Sequence, residues 1–167
     1  MTFSEAAQFL SATPIDNSQP AKWADLGCGN GLFTKVLSGR LHSGSGIYAV
    51  DKRLPSSLQT ANDEVTLIPV KANFVEDDLA LQGLSGILMA NSLHYVKNKT
   101  ALLQKLKAYL LPGAVFIIIE YDTTRANQWV PYPFRLRSCK ACLLQMALGR
   151  LKKRVSGDHC ISREECM

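Results

Sequence analysis

The stretch KWADLGCGNG, residues 22–31, runs from a short apolar segment into three alternating glycines. Glycine adopts positive φ at little cost and lets a ligand approach the main chain, so a buried strand that ends in a glycine loop is typical of a small-molecule site. The loop differs from the G-x-G-x-x-G fingerprint of dinucleotide sites, because Leu32 stands where the third glycine of that fingerprint would fall. The loop therefore predicts a ligand site, and the rest of the chain must indicate which ligand.

Short apolar segments alternate with segments of helical spacing around this loop. An α/β domain with a doubly wound, mostly parallel sheet covered on both faces is the expected result. Pro69 lies within the third strand and indicates an edge position for it. The predicted strands are 22–26, 46–51, 65–73, 85–91 and 114–122; the predicted helices are 3–12, 31–38 and one from 99 that stops at Pro112-Gly113, with further helical character after Pro55.

Four motifs occur in a fixed order along these elements. Asp25 and the glycines form a D-x-G-x-G-x-G pattern, and Asp51 ends the second strand about twenty residues after the loop. KANF (71–74) ends the third strand, and ANSLHYV (90–96) follows the fourth. Together they resemble the class I S-adenosylmethionine-dependent methyltransferases over residues 21–134, which implies a Rossmann-like fold. In that family the donor is S-adenosylmethionine and the product is S-adenosylhomocysteine.

The resemblance implies a set of cofactor-binding residues at the ends of the strands. Asp51 would accept hydrogen bonds from the ribose hydroxyls, Asn73 would face the adenine amino group and Phe74 would lie on the ring. Three readings without a ligand stay open: Gly31 as a cap of the loop, Asp51 as a helix N-cap, and Phe74 as a core residue. The full implied set is Asp25, Gly27, Cys28, Gly29, Gly31, Asp51, Lys52, Asn73, Phe74 and Asn91.

Methyl transfer from a sulfonium needs alignment of donor and acceptor and no metal, so we expect none. A general base is needed only when the acceptor holds its proton near neutral pH. His94 and Tyr95 are the candidate catalytic residues, because they follow the fourth strand at the edge where open α/β sheets bind ligands. Packing within the turn is the alternative role of His94. WVPYPF (129–134) is interpreted as a loop on the substrate side.

Three function classes follow from these motifs. The leading one is a methyltransferase that acts on a small molecule whose identity the sequence does not reveal. The second is a domain that binds S-adenosylmethionine, or a partner, without catalysis. The third is an NAD(P)-dependent oxidoreductase, against which the loop spacing argues.

The bulk composition favours a cytoplasmic protein of a single main domain. The chain has 167 residues, and no run reaches the roughly 20 apolar residues that span a bilayer. Its first ten residues lack the pattern of a signal peptide, and five cysteines without a framework spacing fit a reducing compartment. The oligomeric state cannot be inferred.

The net charge of +5 resides in the last 33 residues, which hold eight Lys and Arg against three Asp and Glu. We divide the chain into a domain at 1–150 and a basic tail at 151–167. The tail could be a nucleic-acid arm, although solvated surface charge is the commoner explanation. CKAC (139–142) with His159 and Cys160 permits a less favoured zinc reading.

The family of resemblance adds a helix and then an antiparallel hairpin after the fifth strand. A helix is placed at 135–149 by its spacing of apolar residues. The segment CISREECM (160–167) has three charges in eight residues, whereas a strand inserted in a covered sheet needs apolar residues. We therefore predict that the segment after about residue 150 does not form the regular hairpin and is either loosely attached or paired only at its ends. A shifted reading frame is one explanation for such a tail.

Overall fold

The protein forms a single seven-stranded sheet with helices on both faces. The computed structural model describes residues 1–11, 13–56, 58–134, 154–156 and 159–165, the last two ranges as backbone only. The strand order is β3-β2-β1-β4-β5-β7-β6, and the first five strands are parallel, as predicted. The strands are β1 Lys22–Leu26, β2 Gly46–Asp51, β3 Thr66–Lys71, β4 Leu84–Ala90, β5 Leu110–Tyr121, β6 Arg154–Ser156 and β7 His159–Glu165.

The described helices divide the core into two layers. Helices α1 (Phe3–Ser11) and α2 (Leu32–Ser38) cover one face of the sheet, and α3 (Lys99–Lys107) covers the other. A capping box begins α1, since Thr2 and Glu5 each donate a backbone N–H to the other's side chain. Gly39 is the C-cap of α2. None of the described helices has the length and hydropathy of a membrane-spanning helix.

Two boundaries differ from the prediction. The described residues of 52–62 form turns and bends, so the helical character expected after Pro55 is wrong. Helix α3 ends at Lys107, and Leu110 already pairs with Leu84 as the start of β5. The apolar residues from Leu110 onward continue the helical spacing but belong to β5, because pairing with β4 satisfies their backbone groups.

The prediction that the C-terminal hairpin does not form is wrong. Strand β7 runs antiparallel to β5 over seven residue pairs, from Val115↔Glu165 to Tyr121↔His159, and β6 pairs with β7. Without β7 the backbone groups along one side of β5 would be unpaired in this sheet, and a ladder partner satisfies them whatever its side chains are. The polarity of the side chains alone therefore does not decide whether a strand pairs at this edge. The helix predicted at 135–149 lies outside the described residues.

Candidate functional site

The glycine loop joins the end of β1 to α2 at the carboxyl edge of the sheet. The backbone N–H groups of Gly27 and Cys28 donate to the Val50 carbonyl at 2.8 and 3.1 Å, which fixes the loop against β2. Gly27 has φ of +79°, and a Cβ built on it would lie 2.5 Å from the Ser92 Cβ. A side chain at this position would be both strained and blocked. A Cβ on Gly29 would meet no atom within 4 Å, so space lies open above the middle of the loop.

Asp51 ends β2 and holds the same loop. Its Oδ2 accepts from the Gly29 N–H at 3.0 Å, and its Oδ1 accepts from the Arg53 N–H at 2.9 Å. The described residues of 52–62 contain no helix, so Asp51 caps a local turn there instead of a helix. A carboxylate offers about four acceptor positions, so two remain for a ligand.

Asp25 is fully buried beneath the loop. Its Oδ2 accepts from the Thr34 hydroxyl at 2.6 Å, whereas Oδ1 has no hydrogen-bond partner among the described residues. Burial raises the pKa of this carboxyl to about 7; the Thr34 hydrogen bond opposes the rise and the charge of Asp51 adds to it. The neighbouring Cys28 is also buried, and burial together with the two carboxylates raises the pKa of its thiol to about 12. That thiol therefore remains protonated at neutral pH.

Asn73 and Phe74 follow β3 at the same edge. The Asn73 side chain organises its own turn, since Oδ1 accepts from the Val75 N–H at 3.2 Å and the amide nitrogen donates to Glu76. Lys105 of α3 donates to backbone carbonyls of this turn, including that of Phe74 at 3.4 Å. Phe74 is buried in the core, and its ring lies 3.4 Å from a Cβ built on Gly27. The ring thus borders the glycine loop from within the core.

The loop after β4 meets the glycine loop at the centre of the edge. Asn91 has φ of +53°, and its Oδ1 is buried without a hydrogen-bond partner among the described residues. Ser92, which the sequence reasoning missed, donates its hydroxyl to the Leu26 carbonyl at 2.7 Å. Since β1 and β4 are adjacent, this contact ties the two loops together at the crevice where such sheets bind ligands.

A buried His94–Glu120 pair lies beside this crevice. The Glu120 Oε2 lies 2.6 Å from the His94 Nδ1, and Oε1 accepts from the backbone N–H groups of Leu93 and His94 at 2.7 and 3.2 Å. Both side chains are nearly inaccessible to solvent. Three accepted hydrogen bonds compensate for burying the carboxylate. The sequence signal for Glu120 was available, because an acid inside the apolar run AVFIIIEYD requires a buried partner.

Aromatic residues surround the histidine. The Tyr95 ring centroid lies 4.3 Å from that of His94, and Tyr121 lies 6.1 Å away. The 129–134 loop reaches the same place, since the Tyr132 N–H donates to the His94 carbonyl at 3.0 Å. The loop expected on the substrate side is therefore hydrogen-bonded to the backbone of His94.

Most of the predicted residues lie at one edge of the sheet. Lys52 is exposed, and no interaction with the site is found for it among the described residues.

A separate groove of about 480 Å³ lies at the opposite, amino edge, beside Lys22, Ser85 and Leu111. None of the predicted site residues lines that groove. Its position relative to the sheet therefore separates it from the candidate site.

Comparison with known proteins gives a family and a set of related folds. A family model described as a methyltransferase domain matches residues 2–149. The comparison with curated proteins gives no match.

Three solved structures illustrate the fold. The 1,6-didemethyltoxoflavin-N1-methyltransferase of Burkholderia thailandensis, solved with 1,6-didemethyltoxoflavin and S-adenosylhomocysteine, is 19% identical, with 99% of this chain and 78% of that chain covered and a TM-score of 0.72. A methyltransferase of Aquifex aeolicus is 16% identical, with both chains fully covered and a TM-score of 0.69. Mitomycin 7-O-methyltransferase is 18% identical, with 99% of this chain and 54% of that chain covered and a TM-score of 0.70. These likenesses concern the fold, whereas the family match spans most of the sequence: the chain belongs to the methyltransferase-domain family and is an S-adenosylmethionine-dependent methyltransferase.

Proposed function

We propose that this chain binds S-adenosylmethionine between the loops after β1 and β4, and methylates a small molecule that carries a proton on its reacting atom. His94 serves as the general base, and Glu120 is the residue that positions it. The observation that carries this proposal is the buried His94–Glu120 hydrogen bond of 2.6 Å, which lies next to the crevice. The cofactor set proposed from the sequence is retained, although among the described residues Lys52 makes no contact with the site.

The polar atoms of the crevice fit a cationic ligand. Two buried oxygens, Asp25 Oδ1 and Asn91 Oδ1, have no donor among the described residues, and buried acceptors are normally satisfied. S-adenosylmethionine has a sulfonium and an ammonium group, so negative potential beneath the glycine loop would favour it. Asp51 retains acceptor positions for the ribose hydroxyls, while its present bonds hold the loop open at Gly29.

Glu120 selects one tautomer of His94. An ionised carboxylate only accepts hydrogen bonds, so Nδ1 carries the proton and the lone pair remains on Nε2. No hydrogen bond to Nε2 is found within the described part of the chain, so no described group competes for its lone pair. The donor supplies a methyl group whose bond to sulfur breaks with the electron pair left on sulfur. His94 takes the acceptor's proton as the new bond forms.

The acceptor is proposed to be small because related folds act on small molecules. The toxoflavin enzyme was solved with 1,6-didemethyltoxoflavin bound, and the mitomycin enzyme is named for an O-methylation. For this chain, support comes from the aromatic residues around His94, which form a compact surface beside the base.

Calorimetric titration with S-adenosylmethionine, S-adenosylhomocysteine and NADH tests the cofactor part. We expect the first two to bind and NADH not to bind. Binding of NADH alone would refute the proposal and favour an oxidoreductase.

Two substitutions test the base. Glu120→Gln keeps a carbonyl for the two backbone N–H groups but presents an amide N–H to Nδ1, which moves the histidine proton to Nε2. With an active acceptor we expect kcat to fall by about 10²–10⁴ in both Glu120→Gln and His94→Gln, with unchanged affinity for S-adenosylmethionine. Glu64→Gln, at an exposed acid before β3, is the matched control. Normal turnover of a folded His94→Gln variant would limit His94 to packing.

A further inference from the structure

Three aromatic side chains are exposed on the segments that follow β4 and β5. The exposed fractions are 56% for Tyr95, 70% for Trp129 and 41% for Tyr132. Within the described parts of these two segments, every exposed large hydrophobic side chain is aromatic. An exposed apolar surface beside a candidate active site indicates binding, since it leaves hydrophobic area in water.

The loop that carries two of these side chains is fixed by specific contacts. Lys99 donates to the carbonyls of Tyr132 and Val96 at 2.8 and 2.7 Å, which joins the loop to the segment after β4. Asn127 Oδ1 accepts from the N–H groups of Trp129 and Val130 at 2.8 Å each, and Val130 is buried. The backbone is thus anchored while the rings face solvent.

The same surface borders the base. The Tyr95 and His94 rings lie 4.3 Å apart, and the Tyr132 backbone is hydrogen-bonded to the His94 carbonyl. A general base must lie within about 3 Å of the proton that it takes. An acceptor with its reacting atom at Nε2 therefore lies beside the Tyr95 ring and the loop that carries Tyr132.

We propose that the acceptor is a planar aromatic or heteroaromatic molecule, methylated on a hydroxyl or a ring N–H, whose ring stacks on Tyr95 and Tyr132 with Trp129 at the rim. This inference rests on the proposed function. Aromatic rings stack in an offset arrangement on flat partners, and this stacking adds interaction energy beyond the burial of apolar area. A saturated ring does not provide this additional energy. In the transfer, the methyl–sulfur bond breaks with its pair left on sulfur, the oxygen or nitrogen gains the methyl group, and its proton passes to His94.

A pair of unreactive probes separates stacking from acidity. Methoxynaphthalene and methoxydecalin have the same carbon framework and no transferable proton, but only the first is flat. Each is titrated by calorimetry into the full chain saturated with S-adenosylhomocysteine. We expect methoxynaphthalene to bind about tenfold more tightly.

Variants of the exposed rings complete the test. Tyr95→Ala should remove most of the preference, Tyr95→Phe should retain it, and Trp129→Ala should reduce it. Leu111→Ala, at an exposed residue of the opposite edge, should leave it unchanged. Equal binding of the two probes, or a preference unaffected by Tyr95→Ala, would overturn this inference while S-adenosylhomocysteine binding still supports the proposed function. A chain that binds no S-adenosylhomocysteine would refute both.

Discussion

Asp25 makes the stability of this fold depend on pH. Burial raises the pKa of its carboxyl from 3.8 to about 7, against the effect of the Thr34 hydrogen bond and with that of the Asp51 charge. In the unfolded chain the carboxyl returns to its ordinary pKa. Between these values the folded state holds a proton that the unfolded state has released. The contribution of Asp25 to stability is therefore fully present below pH 3.8 and is lost as the pH rises through 7.

The magnitude follows from the size of the shift. Roughly three pH units, at 1.36 kcal/mol per unit, correspond to a loss of about 4 kcal/mol, of which about 3 kcal/mol falls between pH 5 and pH 8. Small domains have total stabilities of about 5–15 kcal/mol, so the effect is measurable.

The test compares the parent with Asp25→Asn. The variant keeps the side-chain shape and the carbonyl that accepts from Thr34, but it cannot ionise. Any constant cost of the buried amide cancels when only the change with pH is compared. We expect the parent to lose about 3 kcal/mol relative to Asp25→Asn from pH 5 to pH 8, measured by urea unfolding. Asp63→Asn, at an exposed acid, should follow the parent. Parallel curves for the parent and Asp25→Asn would refute the reasoning.

Cofactor binding should couple to the same proton. A bound cation above the loop favours the ionised carboxyl, so S-adenosylmethionine binding near pH 6 should release part of a proton, whereas binding above pH 8 should release none. Calorimetry in buffers of different ionisation enthalpy measures this release. Identical heats in all buffers near pH 6 would contradict the coupling.

Four further substitutions test the loops. In urea unfolding, Gly27→Ala should lower the stability by about 2–4 kcal/mol, because of the positive φ and the contact with Ser92. Gly29→Ala, where space is open, should lower it by about 1 kcal/mol. Equal losses would contradict the role of the contact. Asp51→Ala should weaken S-adenosylmethionine binding by about 1.5–3 kcal/mol in calorimetry, and unchanged affinity in a folded variant would remove Asp51 from the site. Lys105→Met should lower the stability by about 1–2 kcal/mol, because it removes the hydrogen bonds from Lys105 to the turn after β3. An unaltered urea midpoint would show that these hydrogen bonds do not contribute to stability.

The parallel half of the sheet was predictable because its signals are local. Strand β1, the glycines and Asp51 lie in short segments whose apolar pattern and turn chemistry act over a few residues. The end of α3 was not predictable in this way. Its apolar spacing continues to Leu110, and only pairing with Leu84, distant in sequence, assigns that residue to β5. Strand β7 was missed for a similar reason, because its pairing satisfies the backbone of β5.

The candidate site was predicted residue by residue but not in its connections. His94 and Asp25 were identified from their motifs, whereas Glu120 and Ser92 were missed. Both missed residues act across strands, through contacts between segments 26 and 66 residues apart. A single sequence without pairing information does not indicate which strands are adjacent, so such contacts emerge only from the fold.

Pro69 determines what the outer edge of the sheet can do. The N–H groups of Thr66 and Ala72 donate to the carbonyls of Ser45 and Asp51, on the side of β2. Since a strand has period two, the odd-numbered nitrogens, that of Pro69 among them, face outward. The proline therefore costs β3 no bond to β2, yet it removes the central donor from the open side. An extended segment of another molecule approaching this side would find its ladder interrupted at the middle. The edge strand β3 thus disfavours pairing of the sheet with a strand of another molecule.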